Sequence, residues 1–251
     1  MISSTTIKYI RSLEQKKYRN QSGSFLAEGD KIVRELLSSG FALQQVFALD
    51  SWIDANQQII SSSPVEVIPV SPGEMGRISQ LKTPNQALAV VAIPQYEADP
   101  DDLQTNLTLA LDNIQDPGNL GTIIRTADWF GVRNIYCTST TADVYSPKVI
   151  QATMGSFIRV KVHYVDLPLF LGSLDGNIPV YGAFLHGEAL FNIQATLPGM
   201  LVVGNESKGI SPECGQLVSQ RISIPAVGNQ GAESLNAGVA AGILMSWLTK
   251  P

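Results

Sequence analysis

Cysteine and histidine are nearly missing from this 251-residue chain, which holds only Cys137, Cys214, His163 and His186 of those types. Two cysteines cannot build a disulfide framework, and none of the four stands at metal-ligand spacing, so neither a stapled fold nor a zinc site is expected. No stretch of about eighteen apolar residues occurs, which leaves no membrane span to propose. The opening MISSTTIKYIRSLEQKKYRN has no basic start followed by an apolar run, so no secretory signal is read there and a cytoplasmic location is expected. A G-x-G-x-x-G after a strand and a Walker-type lysine loop are both missing, which argues against a nicotinamide-dependent or P-loop enzyme. Also missing is an overall basic balance: the formal net charge is −5, the opposite of what most polyanion binders carry.

What is present is a globular composition, 44% hydrophobic and 16% charged, in a chain long enough for two domains. Charge is uneven. Between Lys8 and Arg19 lie Lys8, Arg11, Lys16, Lys17 and Arg19 against one acid, Glu14, with Tyr9 and Tyr18 interleaved. Such a stretch can track a phosphate backbone, or it can be an ordinary solvated helix face.

From Ser24 to Pro94, short apolar runs (FLAEG, LQQVFAL, VEVIPV, ALAVVAI) alternate with helical periods such as DKIVRELLSS, which predicts a small α/β domain with a mostly parallel sheet over residues 1–94. PQYEADPDDLQTN then breaks the pattern, and a linker is expected over 95–106. The alternation restarts with LTLALD and predicts a second α/β domain over 107–251. No internal repeat or low-complexity tract interrupts it.

Three segments of the second domain carry candidate chemistry. DNIQDPGNLGTIIRTADWFGV turns from a strand into a helix whose Leu120, Ile123, Ile124, Ala127 and Phe130 recur at core spacing, with Gly131 ending it. Thr122, Arg125 and Trp129 share another stripe, which presents Arg125 near the carboxyl edge of the sheet, where open α/β sheets bind ligands. Asn119 reads equally as an N-cap of that helix and Arg125 as a surface arginine. LVVGNESKGIS runs a buried strand into Gly204-Asn205-Glu206, placing a glycine where backbone can approach a ligand closely. RISIPAVGNQGAESLNAGVAAGILMSWL ends a strand at Pro225 and, through Ser234-Leu235-Asn236, opens a helix apolar nearly all round, with small residues that let another backbone come close. Ser234 can serve as its cap, face a ligand, or both.

In this order and separation, PGN-x-G-x-x-x-R, GNE-x-x-G-I-S and I-P with S-L-N resemble the SpoU (TrmH-like) family of RNA ribose methyltransferases in the SPOUT class, over roughly residues 107 to 248. The resemblance implies a parallel α/β catalytic domain with a trefoil knot, a homodimer with its active site at the interface, and S-adenosylmethionine (AdoMet) as methyl donor. It further implies transfer to a ribose 2′-hydroxyl of RNA. Residues 1–94 resemble the substrate-binding domain often fused ahead of it, similar to RNA-binding ribosomal proteins, which favours ribosomal RNA over transfer RNA. Carried over by position, Asn119, Arg125, Glu206, Ser234 and Asn236 are the implied active-site residues. Gly204, Ile224 and Leu235, with Ala183 and Leu185, are the implied cofactor contacts. The loop AVGNQGAE between Pro225 and Ser234 is longer than the usual one. A non-catalytic RNA-binding protein that keeps the fold is the rival reading, disfavoured by the intact Asn119, Arg125, Glu206 and Ser234.

Overall fold

The computed structural model describes residues 2–96, 103, 106–227 and 233–250. Most of the expected linker (97–102, 104 and 105) and the middle of the long loop (228–232) lie outside the described residues. Two units emerge: Met1–Gln95 with Tyr145–Ile158, and Tyr96–Val144 with Arg159–Pro251.

The first unit opens with α1 (Ser4–Ser12), capped by the Ser3 hydroxyl, and α2 (Lys16–Ser22), closed by Gly23 at φ 62. Then come β1 (Ser24–Glu28), α3 (Asp30–Leu37), β2 (Leu43–Ala48), α4 (Asp50–Ala55), α5 (Gln57–Ser61), β3 (Val67–Pro69), α6 (Pro72–Ile78) and β4 (Ala87–Ala92). The helical period of DKIVRELL is realised: Ile32, Val33, Leu36 and Leu37 are all buried.

The sheet order is β1-β4-β2-β3, and this corrects the expectation of a mostly parallel sheet. β4 pairs antiparallel with both β1 and β2, and only β2 with β3 is parallel. The alternation of helix and strand does send β1, β2 and β3 the same way. The last strand, buried on both faces, then inserts between β1 and β2 in the opposite sense, which alternation alone cannot reveal. One face of the sheet packs on α1 and α6 through Ile7, Ile10, Leu13, Met75 and Ile78. The other packs on α3 and α4 and on residues from 145–158, which hold α8 (Pro147–Thr153). There Tyr145 and Phe157 lie against Phe25, with ring centroids 4.6 and 5.8 Å away, and the Gln151 amide donates to the Glu28 carbonyl at 2.7 Å.

The second unit contains β5 (Leu107–Asp112), α7 (Pro117–Trp129), β6 (Asn134–Thr138), β7 (Lys161–Val165), α9 (Leu167–Gly172), β8 (Val180–Ala189), β9 (Gly199–Gly204), α10 (Pro212–Gly215), β10 (Gln220–Ser223) and α11 (Ala237–Leu248). Its six strands run in the order β10-β8-β9-β5-β6-β7, every pairing parallel. β5 and β9 are buried nearly throughout, as strands covered on both faces must be. α7 buries Leu120, Ile123, Ile124 and Ala127 and ends at Gly131, φ 74, while Phe130 is only half-buried at its C-cap. Each fully buried Leu or Ile there contributes roughly 2 kcal/mol. The small residues of α11 do admit another helix: a Cβ added at Gly238 would lie 3.1 Å from Thr122 Cγ2, and one at Gly242 3.5 Å from Thr126 Cγ2. That stripe of α7 and the glycine face of α11 therefore pack within one chain.

Candidate active site at the carboxyl edge of the parallel sheet

Six parallel strands all end at one edge, and the turns leaving β5, β9 and β10 meet there through side chains. After Asp112, Asn113 adopts a left-handed conformation (φ 61) and its N–H donates to Thr138 Oγ1 at the end of β6, 2.8 Å away. Asp116, not Asn119, caps α7: its Oδ1 accepts the Asn119 N–H at 2.8 Å, and Pro117 occupies the first helical position. Asp-Pro ahead of an apolar period is a helix-start signal that the sequence already contained. Because Asp116 takes the cap, the Asn119 side chain is released for other partners.

Those partners are Glu206 and Asn236. The Asn119 Nδ2 donates to Glu206 Oε1, and Asn119 Oδ1 accepts from Asn236 Nδ2 at 2.7 Å. Asn236 Oδ1 in turn accepts the Gly238 and Val239 N–H groups at 3.0 and 3.2 Å, capping α11. Asn236 is thus the cap, and Ser234 is not; it stands exposed two residues earlier and joins no hydrogen bond among the described residues. The direction of the relay is fixed chemically. Backbone N–H groups at one end can only donate and a carboxylate at the other can only accept, so both amides have one allowed orientation.

The β9 turn is held just as firmly. Asn205 and Gly209 exchange main-chain hydrogen bonds at 3.0 and 2.8 Å, and Gly209 sits at φ 68. Asn205 Nδ2 donates to the Asn113 carbonyl at 2.9 Å, while its Oδ1 accepts from Ser207 and Lys208. Buried Asp112 accepts the Ser211 N–H at 2.7 Å. What approaches Gly204 closely is this chain's own backbone: a Cβ there would lie 2.2 Å from the Gly209 carbonyl carbon. Asp112, Asn113 and Asn205 were missed in the sequence because their partners are nearly 100 residues away and no local pattern marks them.

Arg125 is exposed on α7, six residues beyond Asn119, and makes no hydrogen bond or ion pair among the described residues. Beside it Trp129 is 85% exposed. Of the five implied active-site residues, the structure links Asn119, Glu206 and Asn236 directly and leaves Arg125 and Ser234 outside that relay. The implied cofactor positions fall on the same sheet edge. Gly204 ends β9 and Ile224 follows β10. Leu235, 45% exposed, precedes α11. Ala183 and Leu185 lie in β8 where its register with β10 jumps, Arg221 facing Gly182 and Ile222 facing Glu188. The intervening residues bulge out of the ladder, leaving Leu185 68% exposed.

Thiol chemistry has no place here. Burial pushes Cys214 up to about 11 and Cys137 higher still, so neither offers a thiolate at neutral pH. Among the described residues there is no group of three or more His, Cys, Asp or Glu that could hold a metal, and no helix long and apolar enough to cross a membrane.

With this geometry in hand, residues 106–246 match the model of the SpoU rRNA methylase family, and residues 4–89 match that of the MRM3-like substrate binding domain. The chain belongs to the SpoU rRNA methylase family. It is 30% identical to the 23S rRNA (guanosine(2553)-2′-O)-methyltransferase RlmP of Bacillus subtilis, over 95% of this chain and 94% of that one. Two solved relatives superpose over nearly their whole length. One is an AdoMet-bound rRNA methyltransferase from Sinorhizobium meliloti, with a TM-score of 0.86 at 28% identity over 99% of this chain and 96% of that one. The other is the SpoU methyltransferase AviRb from Streptomyces viridochromogenes in complex with AdoMet, with a TM-score of 0.84 at 25% identity over 98% and 97%. The family resemblance read from the three motifs and the mixed α/β class are borne out.

Proposed function

We propose that this SpoU-family chain is an AdoMet-dependent methyltransferase that methylates a ribose 2′-hydroxyl in ribosomal RNA, with residues 1–94 binding substrate and 107–251 catalysing transfer. The observation that carries this reading is the Asn236–Asn119–Glu206 relay, because it joins one residue from each of the three sequence motifs into a single rigid constellation. The donor's positions fit: strand ends at Gly204 and Ile224 offer main-chain polar groups, and Leu185 and Leu235 offer exposed apolar surface for a ring. When bound, AdoMet supplies a methyl group already activated on a sulfonium, so the protein's task is chiefly positioning.

The relay holds the Glu206 carboxylate and the start of α7 in fixed register, which presents the ribose with an oriented acceptor. A guanidinium keeps its charge in proteins, so Arg125 acts not as a literal base but as an electrostatic clamp on a target phosphate and on the 2′-oxygen, whose proton passes to the Glu206 carboxylate as that oxygen takes the methyl group. Ser234, whose hydroxyl has no hydrogen bond among the described residues, is assigned to the ribose. The trefoil knot of the SPOUT class is part of this reading, supported by β9 lying between β5 and β8 with its following turn fastened to Asn113. So is a homodimer through the outer faces of α7 and α11, where Trp129 and the 50% exposed Val239 leave apolar surface uncovered. The location assigned is the cytoplasm.

The test is twofold. Mapping 2′-O-methyl sites across total RNA from cells with and without this protein should show one ribosomal position lost. Transfer from labelled AdoMet to that RNA should fall about 100-fold or more in Arg125→Ala and recover only in part in Arg125→Lys. Full activity in both variants would remove Arg125 from its role.

A further inference from the structure

The first unit is electrically two-sided, and nothing in its family membership says which side meets RNA. On the sheet face covered by α1 and α6, with α2 between α1 and β1, the helices and their connection carry six basic residues against Glu14 and Glu74. Glu74 is already engaged by the Ser71 and Ile2 N–H groups at 3.0 and 2.7 Å. On the opposite face, α3, α4 and α5 carry Asp30, Glu35, Asp50 and Asp54 against Lys31 and Arg34, and Lys31 is paired with Glu35 at 3.6 Å.

Not every cation of the basic layer is available. Arg19 is buried and donates to the Leu13 and Glu14 carbonyls at 2.8 and 2.7 Å, tying α2 to the end of α1. Of the five cations in that stretch, Arg19 therefore belongs to neither a phosphate track nor a solvated face: it is a structural clasp. Lys8, Arg11, Lys16, Lys17 and Arg77 remain, all exposed. Arg11 reaches the Arg77 carbonyl at 3.4 Å, which brings the α1 and α6 cations onto one ridge. Tyr18 is exposed beside them, with the Lys17 ammonium 5.8 Å from its ring centroid. The α3 face, by contrast, is the one on which Ile150 and Phe157 of residues 145–158 pack.

We propose that the α1–α2–α6 ridge, with Arg11, Lys16, Lys17 and Arg77 as its core, is the surface that grips the phosphate backbone of the RNA substrate. In a chain of net charge −5, this ridge concentrates positive charge with little acid to cancel it, and neutralised phosphates release counterions whatever the base sequence. The ridge supplies affinity, and the second unit supplies the chemistry. The inference rests on the reading of the chain as an RNA methyltransferase.

The experiment uses the full chain and total ribosomal RNA from cells lacking it. Binding is measured between 50 and 200 mM salt for wild type, Arg11→Glu/Lys16→Glu/Lys17→Glu, the neutral set Arg11→Gln/Lys16→Gln/Lys17→Gln, and the control Lys31→Glu/Arg34→Glu. The neutral set should lower the slope of log K against log[salt] by about 2, and the reversed set should weaken RNA binding about 30-fold or more. AdoMet affinity and kcat at saturating RNA should stay within about twofold of wild type in both sets, so that KM for RNA alone moves. Wild-type slope and affinity in both ridge sets, or an equal loss in the control, would overturn the assignment. Absence of methyl transfer and RNA binding in the wild type would instead sink the functional reading itself.

Discussion

The two sheets are built from the same alternation of strand and helix, yet they do different things at their ends. In the second unit all six strands point one way, so the turns after β5, β9 and β10 converge on one edge, and Asn113, Asn119, Glu206 and Asn236 become neighbours. In the first unit β4 runs against β1 and β2, so their carboxyl ends are interleaved with an amino end and no common edge forms. A parallel sheet therefore offers a site, and the mixed sheet offers surfaces. The chemistry we propose uses the former, and the charge layering lies on the latter.

The sharpest way to break this contrast is at the strand-end glycines. Gly204→Ala places a Cβ against the Gly209 backbone and should cost on the order of 3 kcal/mol or more with loss of AdoMet binding. Gly29, which follows β1 at φ 130, has no atom beyond its chain neighbours nearer than 3.7 Å to such a Cβ. Gly29→Ala should therefore cost only the strain of its backbone, about 1–2 kcal/mol, with AdoMet binding retained. Denaturant melts and calorimetric titration of both variants decide it; equal losses would mean the two edges are not different in kind.

Next in size is Asn119→Ala, which removes both links of the relay at once. It should lower kcat/KM about 100-fold while costing only about 1 kcal/mol of stability, because the residue is only half-buried and water can reach the partners it leaves. If activity and stability fell together, the relay would be scaffolding and not a positioning device.

The smallest effect belongs to the first unit. Burial raises the pKa of Glu28 above its ordinary 4.5, against the lowering pull of the Ser79 hydroxyl and the Gln80 N–H. The folded chain thus holds that proton more tightly than the unfolded one, and stability contributed here falls as pH rises from about 4.5 through the folded value. Glu28→Gln should flatten this slope without altering methyl transfer. An unchanged pH profile of the melting temperature would show that Glu28 is not the group responsible.

Much of this is legible in the sequence alone. The run of strands and helices, the terminal helix and the three motifs each declare themselves through period, caps and glycine. α9 did not, because LPLFLG is short and apolar all round, with no period to read. The antiparallel insertion of β4 was invisible for a different reason: strand direction is set by which neighbour a strand pairs with, and pattern reports only that it is buried. The caps at Asp116 and Asn236 were within reach, but the flanking Asn119 and Ser234 are capping types too and drew the assignment to themselves. Asn205's grip on the Asn113 carbonyl spans two distant turns and leaves no local trace.

The inserted stretch from Tyr145 to Ile158 also sets a timetable. A ribosome finishes β4 by residue 92, but Phe25 still lacks Tyr145 and Phe157, which are made only after β5 and β6 have emerged. The first-made sheet must wait with an aromatic face uncovered while part of its neighbour is synthesised, and a gene cut after residue 95 would strip the first half of that cover and leave the second half carrying it with nothing to cover.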